Sequence, residues 1–137
     1  KVIDKISKKN DNNTIIDLGS GFGFLVLYLG FRNKNKKIIG YESSYIPYQI
    51  SRMAQMLFGL NNVSFKNENF LYMQLYEDIT YVCYLFPRAM EELDAKISNE
   101  NISISLISST FALNSKNPIS TQKLDDLYKT PIYSYSI

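Results

Sequence analysis

An acidic residue followed by three alternating glycines is the part of the sequence best suited to chemistry. Asp17 precedes Gly19, Ser20, Gly21 and Gly23, and the segment follows an apolar, β-branched run. Glycines let the backbone turn sharply and let a ligand approach without meeting a Cβ atom. A second apolar run follows. The pattern therefore predicts a buried strand, a tight turn and a buried helix whose first N–H groups point at a ligand.

The spacing of the glycines separates two classes of ligand. Dinucleotide-binding proteins use G-x-G-x-x-G, and Phe24 stands here where the third glycine of that pattern would be. The chain has G-x-G-x-G instead, with Asp17 two residues before the first glycine. A carboxylate at the end of a strand and facing this loop suits a cationic or amine-bearing ligand better than a pyrophosphate.

Polar and aromatic residues also stand where the later strands are predicted to end. Glu42 ends the second strand, Asn69 and Phe70 follow the third, and Phe86-Pro87 follows the fourth. In an open parallel sheet the ligand lies at the carboxyl ends of the strands. Glu42 can accept hydrogen bonds from both hydroxyls of a ribose. The Asn69 amide can pair with the edge of an adenine, and Phe70 can pack on its face. The alternative for Glu42 is a surface glutamate that caps the next helix, and the alternative for Asn69 is a polar loop residue without a ligand.

Composition excludes several other kinds of site. The 137 residues include no histidine and one cysteine, Cys83. A zinc site is therefore not expected, and Cys83 is expected to be a buried, reduced thiol. A net charge of +2 gives no strong nucleic-acid signal. The longest apolar run, residues 22–31, is about half the ~20 residues of a transmembrane helix. No signal peptide is visible, which favours a cytoplasmic protein.

Alternating strand and helix patterns predict how the candidate residues are positioned. Strands are predicted over 14–18, 37–42, 63–67, 80–86 and 102–111, and a half-exposed edge strand over 131–137. A first helix is expected from Phe24 to Leu29, stopped by Gly30, and a second carries an apolar stripe, which consists of Ile46, Ile50, Met53, Ala54 and Leu57. Met90, Leu93 and Ile97 predict a later helix, Leu124 and Leu127 a short one, and Val2, Ile3 and Ile6 the end of an N-terminal one. The fold class is α/β, with a mostly parallel twisted sheet, helices on both faces and an antiparallel C-terminal strand.

The acid with G-x-G-x-G resembles motif I of the class I S-adenosylmethionine-dependent methyltransferases, and the later strand ends follow in the order of that family. The resemblance covers residues 1–137 as one methyltransferase domain with a Rossmann-like fold. It implies S-adenosylmethionine as cofactor, S-adenosylhomocysteine as product, no metal, and direct in-line transfer of the methyl group. The cofactor-binding residues that it implies are Asp17, Gly19, Ser20, Gly21, Gly23, Glu42, Ser43, Asn69, Phe70 and Leu85.

A narrower resemblance is to the ATP synthase c-subunit lysine N-methyltransferase family. It is carried by DLGSG at 17–21, GYE at 40–42, Ser51-Arg52, Glu68-Asn69-Phe70 and FPRAM at 86–90. The chain departs from that family at Phe22, Phe24, 43–45 and Ala89. The resemblance implies methylation of a lysine in a protein substrate, with Phe86 and Pro87 lining the acceptor channel. It also implies a hydrophobic N-terminal segment, a membrane anchor that this sequence does not contain.

Two other functions fit the same residues. A cofactor-binding module without activity is one, because no catalytic base can be named: with no histidine, a base would be water, a tyrosine or a carboxylate. A nucleotide-binding oxidoreductase is the other, and Phe24 argues against it. A D/N-P-P-Y turn, typical of amino methylation on bases, is absent, which lowers the expectation of an adenine target. The oligomeric state and the methyl acceptor are not predicted.

Overall fold

A seven-stranded sheet forms the centre of the computed structural model, which describes residue 3 and residues 11–137. The strands are β1 (Thr14–Leu18), β2 (Lys37–Tyr41), β3 (Val63–Lys66), β4 (Ile79–Cys83), β5 (Ser105–Ser109), β6 (Ser120–Lys123) and β7 (Pro131–Ser136). The helices are α1 (Phe24–Arg32), α2 (Tyr45–Leu57) and α3 (Pro87–Glu100), with a 3-10 turn at Phe70–Tyr72. The strand order is β3-β2-β1-β4-β5-β7-β6; β1 to β5 are parallel, and β7 is antiparallel to both β5 and β6.

The sheet separates two apolar cores. Neighbouring residues of β1 enter different cores, because side chains alternate across a strand: Ile15 packs with Val26 and Leu29 of α1, and Ile16 packs with Leu93 of α3. The first crossovers run in one direction along the sheet and the later ones in the other, so α1 lies on one face and α3 on the opposite face. The reversal of direction falls between β1 and β4, where parallel α/β sheets bind ligands.

The predicted fold class is confirmed. Strands β1 and β4 are buried over their last four residues, as expected of strands that are covered on both faces. The predicted fourth strand was too long by three residues, because β4 ends at Cys83 and Leu85 and Phe86 belong to the loop that follows. The predicted fifth strand was also too long, since β5 covers Ser105–Ser109 only.

The C-terminal region differs from the prediction in two ways. The strand predicted at the edge of the sheet, β7, lies between β5 and β6, and β6 is the edge strand. The short helix predicted at Leu124 and Leu127 is absent; these residues lie in the connection between β6 and β7. All four residues of β6 are exposed and polar, so the sequence there has no apolar alternation that would mark a strand.

The prediction that Gly30 stops the first helix was wrong. Helix α1 continues to Arg32, and Gly30 is buried within it. A Cβ atom at Gly30 would lie 2.1 Å from Cγ2 of Val63 on β3, so the glycine allows the helix to pack closely on the sheet. The glycine therefore has a packing role, which a sequence pattern cannot distinguish from a stop signal.

The apolar stripe predicted on the second helix exists, but it faces outward. Its exposed fractions are 70% for Ile46, 63% for Met53 and 84% for Leu57, whereas the one fully buried side chain of α2 is that of Ser51. An amphipathic helix usually turns its apolar side towards the core, and α2 does not. Of the predicted N-terminal stripe, Ile3 is helical and packs against the α1 side of the sheet, while Val2 and Ile6 lie outside the described residues.

Candidate functional site

The glycine loop leaves β1 and is fixed to the end of β2 by backbone hydrogen bonds. The N–H groups of Gly19 and Ser20 both donate to the carbonyl oxygen of Tyr41, at 3.0 and 2.8 Å. Gly19, Gly21 and Gly23 all have positive φ angles of 78°, 53° and 78°, which explains the choice of glycine at alternate positions. The loop is thus a preformed turn at the carboxyl edge of the sheet, and its geometry confirms the predicted strand, turn and helix.

Glu42 connects this loop to the start of α2. Its Oε2 atom accepts a hydrogen bond of 2.8 Å from the N–H of Gly21, and its Oε1 atom accepts one of 2.7 Å from the N–H of Ser44. Ser44 is the N-cap residue of α2, but its side chain makes no capping bond. Each carboxylate oxygen can accept a second hydrogen bond. Glu42 therefore stabilises the loop and keeps acceptor capacity for a ligand that enters between them.

A second contact limits how the loop can be built. A Cβ atom at Gly19 would lie 2.8 Å from Cδ2 of Leu85, and one at Gly21 would meet nothing within 4 Å. Gly19 is therefore required by the protein interior, because the loop after β4 packs directly against it. Gly21 faces open space, so that a ligand can approach its backbone.

The third strand end is organised by two asparagines. Nδ2 of Asn67 donates to the carbonyl oxygens of Glu42 and Ser43, at 2.8 and 3.1 Å. Oδ1 of Asn69 accepts from the N–H of Leu71 at 3.0 Å and so caps the 3-10 turn. The amide nitrogen of Asn69 keeps its two N–H donors for other partners. Asn67 was not singled out from the sequence, since it was predicted as the last residue of the third strand, whereas β3 ends at Lys66.

These elements enclose a cleft of about 370 Å³ at the carboxyl edge of the sheet. This volume lies within the usual range for small-molecule sites. The predicted site residues that line it are Gly19, Gly21, Glu42, Ser43, Asn69, Phe70, Leu85 and Phe86. Tyr41, Glu68, Tyr84 and Ala89 complete the lining and were missed. The predicted residues outside the lining are Asp17, Ser20, Gly23 and Pro87.

The residues outside the lining support the cleft from below or beside it. Gly23 is buried, and a Cβ atom there would lie 2.7 Å from Cζ of Phe65. Ser20 is buried, and its Oγ atom has no hydrogen-bond partner among the described residues. Phe70 touches the cleft but is only 9% exposed, since most of its ring packs in the α3 core. Phe86 is 79% exposed, and Pro87 begins α3.

Asp17 is a buried acid beside another acid. Its side chain is 4% exposed at the end of β1. Burial raises the pKa of Asp17 to about 7, and the negative charge of Glu42 acts in the same direction. Both effects act against the charged form of the carboxyl group. A positive charge close to both carboxylates would act against both effects, and the negative potential at this strand end therefore favours a positively charged ligand.

The missed residues place aromatic groups around the opening of the cleft. Tyr84 is 62% exposed and stands between the end of β4 and Leu85. Tyr41 is buried, and Nζ of Lys66 lies 5.3 Å from the centre of its ring. One feature of the sequence could have identified Tyr84 as a site residue, namely its position directly after an apolar strand. Tyr41 could not be identified in this way, because it continues the apolar pattern of its strand.

Two negative findings concern the described residues. In this part of the chain no group of three or more His, Cys, Asp and Glu side chains is arranged to hold a metal ion. No helix within it has the length and apolar character needed to cross a bilayer.

Cys83 is buried, and burial raises the pKa of its thiol to about 12.

Comparison with solved structures identifies the architecture. An RNA methyltransferase from Salinibacter ruber, in complex with S-adenosylhomocysteine, superposes with a TM-score of 0.82 at 20% identity, over 99% of this chain and 90% of that one. The fold is that of the class I methyltransferases. A mutant form of MtNAS, in complex with S-adenosylmethionine, superposes with a TM-score of 0.76 at 8% identity, over 97% of this chain and 59% of that one. For coclaurine N-methyltransferase, bound to N-methylheliamine and S-adenosylhomocysteine, the TM-score is 0.63 at 17% identity, over 79% of this chain and 34% of that one.

The class I methyltransferase fold is shared across proteins of different lengths. This chain spans nearly all of the first structure but about one third of coclaurine N-methyltransferase. At identities of 20% or less the likeness concerns the fold alone. No protein-family model matches the sequence, and no curated protein matches it. The narrower resemblance to the c-subunit lysine methyltransferases therefore stays a prediction.

Proposed function

We propose that this chain is an S-adenosylmethionine-dependent methyltransferase that binds its cofactor in the cleft at the carboxyl edge of the sheet. The observation that carries the proposal is a pair of acids, Asp17 and Glu42, beside a glycine loop with open space over Gly21. The cofactor carries an ammonium group and a sulfonium centre, and both match this negative site. The structures with the same fold that contain S-adenosylmethionine or S-adenosylhomocysteine support the choice of ligand.

The residues of the cleft fit the parts of that cofactor in turn. Asp17 would hold the ammonium group of the methionine part, and the backbone at Gly21 leaves room for that part to lie against the loop. Glu42 would accept hydrogen bonds from the ribose hydroxyls with the lone pairs that Gly21 and Ser44 leave free. The N–H donors of Asn69 would reach the adenine edge, beside the partly exposed side of Phe70.

The reaction needs little from the protein beyond positioning. When bound, the cofactor supplies an activated methyl group that an unprotonated nitrogen takes in a direct in-line displacement, with S-adenosylhomocysteine as the leaving group. An acceptor lysine first gives up a proton to water, a tyrosine or a carboxylate. The protein's residues then orient the two reactants and exclude water, which are effects of proximity. Tyr84 and Phe86 stand at the opening of the cleft and would align the acceptor there. Pro87 fixes the turn into α3 behind them.

We propose a lysine side chain of a protein as the acceptor. Two exposed aromatic rings, Tyr84 and Phe86, and the carboxylate of Glu68 line the opening. Aromatic faces and a carboxylate are the groups that bind an ammonium ion. This arrangement and the narrower sequence resemblance support lysine. We also propose that residues 1–137 form one methyltransferase domain and that it acts in the cytoplasm.

The first test is calorimetric titration with S-adenosylhomocysteine. We expect micromolar binding by the wild type, and binding at least tenfold weaker, about 1.4 kcal/mol, after Asp17→Ala or Glu42→Ala. Leu127→Ala is a matched control, since Leu127 is 89% exposed and far along the chain from the loop. A folded wild type that does not bind would contradict the proposal.

The acceptor is tested with a radiolabelled methyl group and a cell extract. Label that is lost after protease treatment and survives ribonuclease treatment supports a protein acceptor, and acid hydrolysis to methyl-lysine identifies the residue. Label that is lost with ribonuclease would instead favour RNA, the substrate class named for the Salinibacter ruber protein. Binding without transfer to any acceptor would indicate a cofactor-binding module without activity.

A further inference from the structure

Two helices on one face of the sheet carry apolar stripes that point away from the core. The residues of these stripes recur at three- and four-residue spacing, so each stripe follows one side of its helix. They are Phe24, Tyr28 and Phe31 on α1, and Ile46, Ile50, Met53 and Leu57 on α2. Their exposed fractions lie between 37% and 84%. We call this surface the α1–α2 face.

The two stripes lie on helices that cover the same side of the sheet. A groove of about 330 Å³ lies between α1 and the residues that follow α2, lined by Leu27, Tyr28, Phe31, Phe58 and Leu60. The single hydroxyl proton of Ser51 on α2 has two acceptors within reach, the carbonyl oxygen of Pro47 at 2.8 Å and that of Gly21, just before α1, at 3.2 Å. Seven large side chains at these exposures present roughly 800 Å² of apolar surface, more than the ~300–600 Å² of the largest patch on a typical monomer.

The charged residues of the two helices are basic, Arg32 on α1 and Arg52 on α2, and Lys34 follows α1. Neither α1 nor α2 contains an aspartate or a glutamate. Residues 18–66 include six basic residues and one acid, a net charge of +5. Residues 67–137 include five basic residues and nine acids, a net charge of −4. The positive charge of the chain is therefore concentrated in the half that carries the apolar stripes.

We propose that the α1–α2 face binds the surface of an anionic lipid bilayer. Apolar side chains that enter the boundary of the acyl chains, with basic residues beside the headgroups, are the features of an interfacial helix. A second copy of the chain would bring like charges together across a two-fold axis. A nucleic acid would use the basic residues but has no need of an aliphatic stripe. The proposal does not depend on methyl transfer.

Sedimentation with vesicles tests the proposal directly. The probes are vesicles of phosphatidylcholine alone and vesicles with about 30% phosphatidylserine. We expect the wild type to bind the anionic vesicles about tenfold more tightly than the neutral ones, and to be released as salt rises from about 50 mM to about 500 mM. A folded wild type that binds neither kind of vesicle overturns the proposal.

Paired variants separate the apolar and charged contributions. Phe31→Ser with Leu57→Ser should weaken binding to anionic vesicles at least about tenfold, because both side chains are exposed and their loss leaves the core intact. Lys34→Gln with Arg52→Gln should weaken it about fivefold or more. Leu127→Ser, at 89% exposure outside the face, is the control and should change nothing.

Chromatography with light scattering decides between the bilayer and the other partners. The proposal requires a monomer at micromolar concentration. A dimer that Phe31→Ser with Leu57→Ser dissociates, without vesicle binding, would assign the face to a second copy. Binding of a mixed RNA pool that competes fully with vesicles would assign it to nucleic acid.

A fluorescent label gives a readout that folding defects do not imitate. The single cysteine, Cys83, is buried with a raised pKa, so a cysteine placed at an exposed position reacts first. A polarity-sensitive fluorophore on Leu57→Cys should shift to shorter wavelength with anionic vesicles, and the same fluorophore on Leu127→Cys should not. Equal shifts at the two positions would contradict docking through this face.

Discussion

The protonation of Asp17 should control how tightly the cleft binds S-adenosylhomocysteine. In the free protein, burial and the charge of Glu42 raise the pKa of Asp17 to about 7. A ligand ammonium beside Asp17 favours the carboxylate, so binding below that pKa must release a proton. We therefore expect the affinity to rise with pH up to about 7 and then to level off.

The size of the effect follows from the pKa. One pH unit below it, about nine in ten molecules hold Asp17 protonated, and the dissociation constant at pH 6 should be about tenfold higher than at pH 8, about 1.4 kcal/mol. The same shift affects stability. Because the folded-state pKa is above the unfolded value of 3.8, the protonated carboxyl stabilises the free protein at low pH. That contribution, up to about 4 kcal/mol, is fully present below pH 3.8 and is lost as pH rises from there through about 7.

Calorimetric titration at several pH values measures both the dissociation constant and the number of protons released on binding. At pH 6, buffers with different ionisation enthalpies should report the release of nearly one proton for each ligand bound. Asp17→Asn should bind more weakly, without a pH dependence between 5.5 and 8, and Glu42→Gln should move the midpoint to lower pH because it removes one of the two causes of the shift. A wild type whose affinity is flat over this range, with no buffer-dependent heat, would refute the assignment of Asp17 to the ammonium group.

Three further predictions concern packing and the loop. Gly30→Ala should lower the free energy of unfolding by about 1–3 kcal/mol in urea denaturation, because the new Cβ would lie 2.1 Å from Val63, and Val63→Ala should restore most of the loss. Ser51→Ala removes the hydroxyl that lies 3.2 Å from the carbonyl oxygen of Gly21 and 2.8 Å from that of Pro47, and should weaken S-adenosylhomocysteine binding by a few fold, about 0.5–1.5 kcal/mol, without changing its pH dependence. Cys83 should react with a thiol reagent only as fast as the protein unfolds, since its thiol is buried with a pKa raised to about 12; rapid reaction in buffer would contradict this.

The sequence predicted which strand ends lie at one edge of the sheet better than it predicted the outer surface of the fold. Strand ends of a parallel sheet converge at one edge, so the order of Asp17, Glu42 and Asn69 along the chain was enough to bring them together. Their hydrogen-bond partners were not predictable from the sequence. Asn67, which donates to Glu42 O, and Leu71, which donates to Asn69, reach these positions through the conformation of the loops. Periodicity also failed for Leu57. It finds an apolar side of a helix, but which side faces the sheet is decided by packing, and here the small, polar Ser51 is the side chain that faces inward.

The β7 strand shows a different limit. Its alternation of Ile, Tyr and Ser was recognised, and the strand was then placed at the edge. The true edge strand, β6, consists of Ser120–Lys123, a run with no apolar residue and weak strand character. Backbone pairing with β7 is what makes it a strand, and pairing between distant segments is a tertiary effect that overrides local preference.

The two hydrogen bonds of Glu42 bear on the rate and entropy of ligand capture. A glutamate side chain that is ordered only on binding loses up to about 2 kcal/mol of rotamer entropy at that moment. Here the backbone of Gly21 and Ser44 already holds the carboxylate, so this ordering belongs to folding and is complete before a ligand arrives. A pre-ordered acceptor needs no search for its conformer, so the ordering of this side chain adds no entropic cost when a ribose binds. Glu42→Asp keeps the charge but is one methylene too short to reach both N–H groups, and it would return that freedom to the binding step.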